Sequence, residues 1–247
     1  VSDIVLEMSQ EDHIKLPDFI VNDVRVTLPP KARKQYDQME NLFWAELDEG
    51  GVIEVNSPIA SINKLLQIAC GAIYTNPETR EWSKSHDDKL DAVEDIIEEA
   101  AVNPILLGYN FRSDAERIKK RFKFALDLTP LDGKEFNQAI YDFQQGRIRL
   151  LIGHPASMGH GVDGLQKNCS QIIWYGLPWS LEHYMQFNAR IHRRGKTAEP
   201  VRCYRIIADN TMDEAVATKL AMKEDTQQAL RDAVNAYRQN NLLTNVA

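Results

Sequence analysis

Short apolar runs alternate with segments of helical periodicity from residue 86 to residue 210, and this alternation constrains the fold most. The runs predict strands at residues 104–109, 124–128, 149–153, 171–175 and 201–207. The segments between and after them predict helices at residues 86–101, 112–123, 134–145 and 181–194 and a long helical tail from residue 211. Apolar strands separated by helices are typical of an α/β fold with a buried parallel sheet. In such a sheet, functional residues lie on loops at the carboxyl ends of strands.

The first 85 residues show a different pattern. Residues 24–28 alternate apolar and polar side chains, which predicts a strand. Helical spacing of apolar residues predicts helices at 31–48 and 58–70. Residues 75–86 are predicted to form a loop. This part of the chain is therefore expected to be mostly helical.

The charge of the chain is unevenly distributed. The 247 residues carry a formal charge of −7, but residues 1–100 have a net charge of −12 and residues 101–247 a net charge of +5. Basic residues concentrate at 112–123 and 190–205. A basic surface on an acidic protein suggests a polyanionic partner. Solvated helix surfaces would give the same composition, so charge alone leaves both interpretations open.

Composition excludes several classes of protein. No apolar run approaches the roughly 18 residues needed to span a bilayer. No basic segment followed by an apolar stretch opens the chain, so we predict no secretory signal. The three cysteines, Cys70, Cys169 and Cys203, are far apart, which argues against a disulfide scaffold. We therefore expect a protein of the cytoplasm.

A glycine-rich string at residues 159–164 fits the pattern Gly-x-Gly-x-x-Gly. A dinucleotide site requires the first glycine at the end of a strand, but five residues separate it from Gly153, and no acidic residue closes the next strand. A dinucleotide-dependent oxidoreductase thus remains only an alternative, beside glycines that merely form a tight turn. Ser157 lacks the glycine required by a nucleophile elbow, since Pro155 occupies that position. Cys-x-x-Cys and His-Glu-x-x-His are absent from the sequence, and we predict no metal site.

The predicted helix at 181–194 carries a row of polar side chains. Gln186, Arg190 and Arg193 follow one another at i, i+4 and i+7, which would place them on one helix face. Arginine guanidinium groups are suited to phosphate oxygens. An exposed basic helix without a ligand is the alternative, because surface arginines are common.

Taken in order along the chain, several segments resemble the second RecA-like lobe of Swi/Snf-type DNA-dependent ATPases of helicase superfamily two, in the compact form carried by phages and prophages. They are PILLGYNFRSDAERI at 104–118, HPASMGHGVDGLQ at 154–166, IIWYGLPWSLEHYMQFNARIHRRGK at 172–196 and VRCYRIIADNTMDEAV at 201–216. The resemblance implies a RecA-like parallel sheet flanked by helices. It also implies three parts: an inter-lobe, mostly helical segment at 1–85, the lobe at 86–210, and a helical brace at 211–247.

The resemblance also implies roles at the nucleotide. Arg190 and Arg193 match two arginines that reach an ATP bound on the other lobe, and Gln186 matches the glutamine that begins the same motif. Gly161 and Asp163 match residues that face the nucleotide. Asp163 departs from the family's usual asparagine.

Further matches concern nucleic acid. Ser157 and Gly159 match the start of a motif that borders the nucleic-acid track. Tyr109, Asn110 and Arg112 match the end of another motif near the nucleic-acid backbone. The implied partners are double-stranded DNA and an N-terminal RecA-like lobe of the same protein.

The family's ATP-binding motifs do not occur in this sequence. It contains neither a Gly-x-x-x-x-Gly-Lys-Ser/Thr loop nor Asp-Glu-x-His. Such a loop and acidic residue hold the nucleotide phosphates and Mg²⁺. We therefore expect ATP with Mg²⁺ to bind mainly to the N-terminal lobe, and this chain alone to be inactive as an ATPase. A non-catalytic nucleic-acid-binding module is the alternative.

Overall fold

The computed structural model describes residues 16–48, 57–76, 78–158, 163–193, 199–223 and 227–244. Its strands are β1 (Phe19–Val26), β2 (Ala72–Tyr74), β3 (Trp82–Lys84), β4 (Ile105–Gly108), β5 (Ala125–Asp127), β6 (Leu150–Gly153), β7 (Gln171–Trp174) and β8 (Val201–Ala208). Its helices are α1 (Pro30–Asp48), α2 (Ser57–Ala69), α3 (Asp88–Glu99), α4 (Arg112–Arg121), α5 (Gly133–Gln144), α6 (Leu181–Asn188), α7 (Met212–Ala221) and α8 (Gln227–Thr244). Among these residues, no helix is both long and apolar enough to cross a membrane.

Six strands form one sheet in the order β1-β8-β7-β4-β6-β5. Every neighbouring pair in that sheet is parallel. Helices cover both faces, so the predicted α/β fold, a RecA-like parallel sheet flanked by helices, is confirmed. The mostly helical N-terminal segment and the helical C-terminal region of that prediction are also observed.

The central strands are apolar because both faces of the sheet are buried. Leu106, Leu151 and Ile172 belong to the core on one face, which the residues of α1, α2 and α5–α8 complete. Ile105 and Leu107 belong to the core on the other face, beneath α3 and α4. Side chains alternate between faces along each strand, so a strand buried on both sides reads as a continuous apolar run.

The segment before residue 86 contributes to this sheet. The predicted strand at 24–28 is observed as the longer β1, which pairs with β8 from Phe19 opposite Val201 to Val26 opposite Ala208. The division of the chain at residue 86 stays a prediction, but β1 forms an edge of the sheet that follows it. The predicted loop at 75–86 is corrected, because it contains β3, which pairs with β2 in an antiparallel hairpin.

The predicted helix at 181–194 is too long. Helix α6 ends at Asn188, whose buried side chain accepts a hydrogen bond from Trp174 Nε1 at 3.0 Å. The backbone then tightens, and the amide of Arg190 donates to the carbonyl of Phe187, three residues back, at 3.1 Å. His192 Nε2 lies 2.8 Å from a carbonyl of the segment before β1, which fixes this turn. The arginines therefore lie beyond the helix instead of on a shared helix face.

The predicted helical tail is also divided. Helix α7 ends at Ala221, and α8 begins at Gln227. Thr211 caps α7, since its side chain accepts a hydrogen bond from the amide of Asp213 at 3.3 Å. Such side-chain caps satisfy backbone amides that have no partner within the helix.

Candidate functional site

Arg193 and Asp163 meet although 30 residues separate them in sequence. Arg193 Nη1 lies 2.8 Å from Asp163 Oδ1, and the two side chains are 37% and 74% exposed. Gln144 Nε2 donates to the carbonyl oxygen of Asp163 at 3.1 Å, which ties this position to the end of α5. A turn after α6 and a loop after β6 thus bring the two charges together.

Arg190 joins this pair. Burial lowers the pKa of Arg190, the nearby positive charge of Arg193 lowers it further, and the carboxylate of Asp163 raises it. We call Asp163, Arg190 and Arg193 the arginine cluster. Arg193 pairs with the one carboxylate, and Arg190 lies close enough for both charges to shift its pKa, so the cluster carries net positive charge and is suited to an anion.

The arginine cluster lies toward the amino ends of the strands. Gln144, bound to Asp163, closes the helix that leads into β6. His192, next to Arg193, contacts Pro17, which precedes β1. Gln186 stays apart from this arrangement, because its Nε2 donates to Glu182 Oε1 on the same helix at 2.7 Å. Gly159 and Gly161 lie outside the described residues.

A second feature lies at the other end of the strands, where their carboxyl ends meet. It is a cleft of about 500 Å³, which we call the carboxyl-edge cleft. Its lining residues are Arg80, Tyr109, Asn110, Arg112, Ala115, Glu116, Lys119, Asp127, Thr129, Pro130 and His154. Three predicted nucleic-acid residues, Tyr109, Asn110 and Arg112, therefore lie together. Ser157 is exposed in the turn Pro155–Met158, outside this lining.

The three predicted residues differ in what they present to the cleft. Tyr109 is buried and donates to Thr129 Oγ1 at 2.7 Å, and burial raises the pKa of its hydroxyl. Asn110 Nδ2 donates to the carbonyl of Leu177 at 2.7 Å, which holds the loop after β7. Arg112 is exposed and pairs with Glu116 one helical turn away at 2.7 Å. Tyr109 and Asn110 thus form the wall of the cleft, and Arg112 offers charge at its rim.

Sequence reasoning missed several residues of this cleft. Thr129 follows β5 and His154 follows β6, so the rule that carboxyl ends of parallel strands share an edge could have found them. Burial lowers the pKa of His154, and the neighbouring imidazole of His183 lowers it further. The imidazole of His154 is therefore neutral near pH 7. Lys119 lies 3.4 Å from Asp127 Oδ2, so the buried carboxylate in the cleft is paired.

Comparison with protein families identifies the domain that contributes to both features. The family described as "Helicase conserved C-terminal domain" matches residues 88–195. The chain contains a helicase C-terminal domain. Both features described above draw on this domain, which begins at the first residue of α3 and extends in sequence two residues past Arg193.

Whole-chain relatives of this helicase domain are longer proteins. The chain is 35% identical over 243 residues to a "putative protein p41" of the Acyrthosiphon pisum secondary endosymbiont phage 1, covering 95% of this chain and 50% of that protein. It is 26% identical over 247 residues to an uncharacterized ATP-dependent helicase of Mycoplasma genitalium, covering 96% of this chain and 23% of that protein. The chain thus spans half or less of these relatives.

A solved structure shares the fold of the helicase domain and its flanking elements. It is the Sulfolobus solfataricus SWI2/SNF2 ATPase core in complex with double-stranded DNA. The TM-score is 0.65 and the identity 21%, over 89% of this chain and 47% of that one. The resemblance to the second lobe of Swi/Snf-type ATPases is therefore confirmed at the level of the helicase domain and its fold.

The alternative of a dinucleotide site finds no support in the described part of the glycine-rich string. Gly164, its last glycine, has a φ of +86° and precedes a 3₁₀ turn of only three residues, Leu165–Lys167. A pyrophosphate site would require the amino end of a longer helix there. Among the described residues, no group of three or more His, Cys, Asp or Glu side chains could hold a metal ion.

Proposed function

We propose that this chain is the C-terminal half of an ATP-driven motor on double-stranded DNA. In this proposal an N-terminal lobe holds ATP and Mg²⁺, the arginine cluster completes the nucleotide site across the gap between lobes, and the carboxyl-edge cleft carries part of the DNA track. The motor would work on DNA in the cytoplasm. The observation that carries the proposal is the ion pair between Arg193 and Asp163, with the charge of Arg190 close to both.

The geometry of the arginine cluster suits a guanidinium group, that of Arg193, which can exchange Asp163 for a phosphate group. An exposed ion pair such as Arg193–Asp163 contributes only about 0–1 kcal/mol to stability. A phosphate group approaching Arg193 therefore meets little competition from Asp163. Asp163 would hold the guanidinium in place until the lobes close, and a planar guanidinium then suits two phosphate oxygens at once.

Arg190 supports the same role from a less exposed position. Its pKa is lowered chiefly by burial and by Arg193, so an added anion would relieve both the lost hydration and the repulsion. Two arginines can stabilise the charge that spreads over the oxygens of a transferred phosphoryl group. Because the N-terminal lobe would bring the nucleotide, lobe closure would couple DNA binding to hydrolysis.

The donor set of the arginine cluster does not fit Mg²⁺. Its single carboxylate, Asp163, is bound by Arg193 at 2.8 Å, and a magnesium site requires oxygen ligands free of such a cation. We therefore assign both the metal ion and the nucleotide's phosphate cradle to the N-terminal lobe. This chain would supply positive charge to the transferring group and nothing to the metal.

The test uses a protein in which an N-terminal lobe with a phosphate loop precedes this chain. Arg190→Ala and Arg193→Ala should each lower DNA-stimulated phosphate release by roughly 10³-fold or more, as expected for an arginine that acts on the transferred group. Arg147→Ala is the matched control, because Arg147 is an exposed arginine whose ion pair is with Asp142 and not with a residue of the cluster. Far-ultraviolet circular dichroism checks that all variants fold.

Outcomes of this test separate the proposal from its alternative. Loss of turnover with DNA binding intact would support a role at the nucleotide. Turnover that survives both substitutions would contradict it. If DNA binding persists and no protein containing this chain hydrolyses ATP, the non-catalytic nucleic-acid-binding module becomes the better account.

A further inference from the structure

A hairpin from outside the matched helicase domain contributes one residue, Arg80, to the lining of the carboxyl-edge cleft. Strands β2 and β3 precede residue 88, yet two contacts attach them to helix α4. Trp82 Nε1 donates to Glu116 Oε2 at 2.8 Å, and the amide of Ser113 donates to the hydroxyl of Tyr74 at 3.1 Å. One bond comes from each strand, so the hairpin is held against α4 at two points. The loop between the strands is thereby positioned beside the cleft.

Arg80 lies at the end of that loop and lines the cleft with Asn110 and Arg112. Its side chain is exposed, and its φ of +57° is uncommon for a residue with a side chain. Glycine would adopt this backbone conformation without strain. The backbone conformation therefore does not explain why residue 80 is an arginine. The explanation must come from the arginine side chain.

The acidic groups of the cleft are already paired with other residues. Asp127 Oδ1 lies 3.1 Å from the hydroxyl oxygen of Tyr109, and Asp127 Oδ2 lies 3.4 Å from Lys119 Nζ. Glu116 is bound by Arg112 and by Trp82. Across the ranges that the structure describes, the side chain of Arg80 makes no hydrogen bond or ion pair. A guanidinium group is thus held at the cleft with its donors directed to solvent.

We propose that Arg80 is an additional nucleic-acid contact of this chain, which binds a backbone phosphate of the DNA that occupies the carboxyl-edge cleft. The proposal rests on the proposed function, because it takes the cleft to be part of the DNA track. It extends that track beyond the helicase domain to the β2–β3 hairpin. A phosphodiester suits this position, since a guanidinium binds phosphate oxygens and reads no base sequence there.

The test measures duplex binding and DNA-stimulated phosphate release in the protein that carries both lobes. Arg80→Ala should weaken duplex binding several-fold and lower the slope of log K against log salt by about 0.9, the value for one lost phosphate contact. The DNA concentration for half-maximal phosphate release should rise, with the maximal rate unchanged. Lys84→Ala is the matched control, since Lys84 is an exposed cation of the same hairpin that pairs with Asp87 outside the cleft lining.

Arg80→Gly separates binding from backbone effects. Glycine suits the φ of +57°, so the thermal midpoint of this variant should stay the same or rise, while duplex binding falls as it does in Arg80→Ala. If duplex binding falls only in the variants whose thermal midpoint also falls, the proposal would be overturned. So would unchanged duplex binding in both variants, or a loss equal to that of Lys84→Ala.

A free anion is distinguished from backbone phosphate by titration with inorganic phosphate at constant ionic strength. Backbone recognition predicts that phosphate does not raise the thermal midpoint in an Arg80-dependent way. A rise that Arg80→Ala abolishes, with duplex binding unaffected, would overturn the proposal in favour of a small-anion site. Failure of the proposed function looks different, because the unsubstituted protein would then neither bind duplex DNA nor be stimulated by it.

Discussion

Removing the positive charge of Lys89 should destabilise the chain more than any exposed substitution. Lys89 is fully buried at the start of α3, and its Nζ lies 2.5 Å from Asp213 Oδ2 in the first turn of α7. Lys89 Nζ also donates to the carbonyl of Tyr175 at 3.2 Å. Burial lowers the pKa of Lys89, but the attraction and hydrogen bond of Asp213, together with the charges of Cys70 and Asp114, outweigh burial, and the pKa of Lys89 is raised. The ammonium group is therefore charged in the folded protein.

The size of the destabilisation follows from the burial of Asp213. Asp213 is only 3% exposed, so Lys89→Met would leave its carboxylate buried without the opposing charge. Breaking a buried ion pair by removing one partner costs about 3–5 kcal/mol. Methionine is similar to lysine in length, so little of this cost comes from lost volume. The double variant Lys89→Met/Asp213→Asn should recover much of it, because asparagine can still accept the hydrogen bond from the amide of Ala208.

Urea denaturation followed by tryptophan fluorescence measures these free energies of unfolding. Trp174 is fully buried on β7 and reports the loss of the core. A cost below about 1 kcal/mol for Lys89→Met, the range of an exposed pair, would refute the reasoning. A double variant as unstable as the sum of the two single variants would refute it as well, since coupled groups should not be additive.

Two other substitutions test details of the fold. Gly164→Ala should lower the free energy of unfolding by about 1–3 kcal/mol, because residue 164 has a φ of +86° and a Cβ there would collide with the side-chain amide of Gln144. Gly133→Ala, at a φ of +45° with open space around its Cβ, is the matched control and should cost less in the same urea titration. Burial raises the pKa of Asp114 to about 7, above its unfolded value of about 3.9. Asp114 therefore favours the folded state at low pH, and that contribution, at most about 4 kcal/mol, is lost as the pH rises to about 7. Asp114→Asn should flatten this dependence of the thermal midpoint on pH between 4 and 8, and an equally steep profile would contradict the assignment.

The sequence predicts the sheet well because its signals are local. Residues 150–153 and 171–174 are buried on both faces, so their identity as strands is visible in composition alone. The order of the strands and the inclusion of β1 depend on contacts between distant residues, such as Phe19 with Val201. Periodicity within a segment contains no information on such pairings, and the sequence therefore predicts a lobe that does not include β1.

The candidate site shows where local reasoning fails. Helical spacing predicts a helix from residue 181 to residue 194, because spacing contains no information on the bond from Trp174 Nε1 to Asn188 or on the contact between His192 and Pro17. The pairing of Arg193 with Asp163 is likewise a tertiary contact. The roles of Gln186, Gly159 and Gly161 at the nucleotide or DNA stay predictions, as do those of the other site residues.

The decisive measurement is phosphate release in the presence of saturating duplex DNA. It is made on this chain alone and on this chain joined to an N-terminal lobe that carries a phosphate loop. We expect no turnover above background by the 247-residue chain and DNA-stimulated turnover by the joined protein. We also expect Arg193→Ala to abolish the turnover of the joined protein. Clear turnover by the chain alone, lost on Arg193→Ala, would contradict the claim that this chain only completes a site held by another lobe.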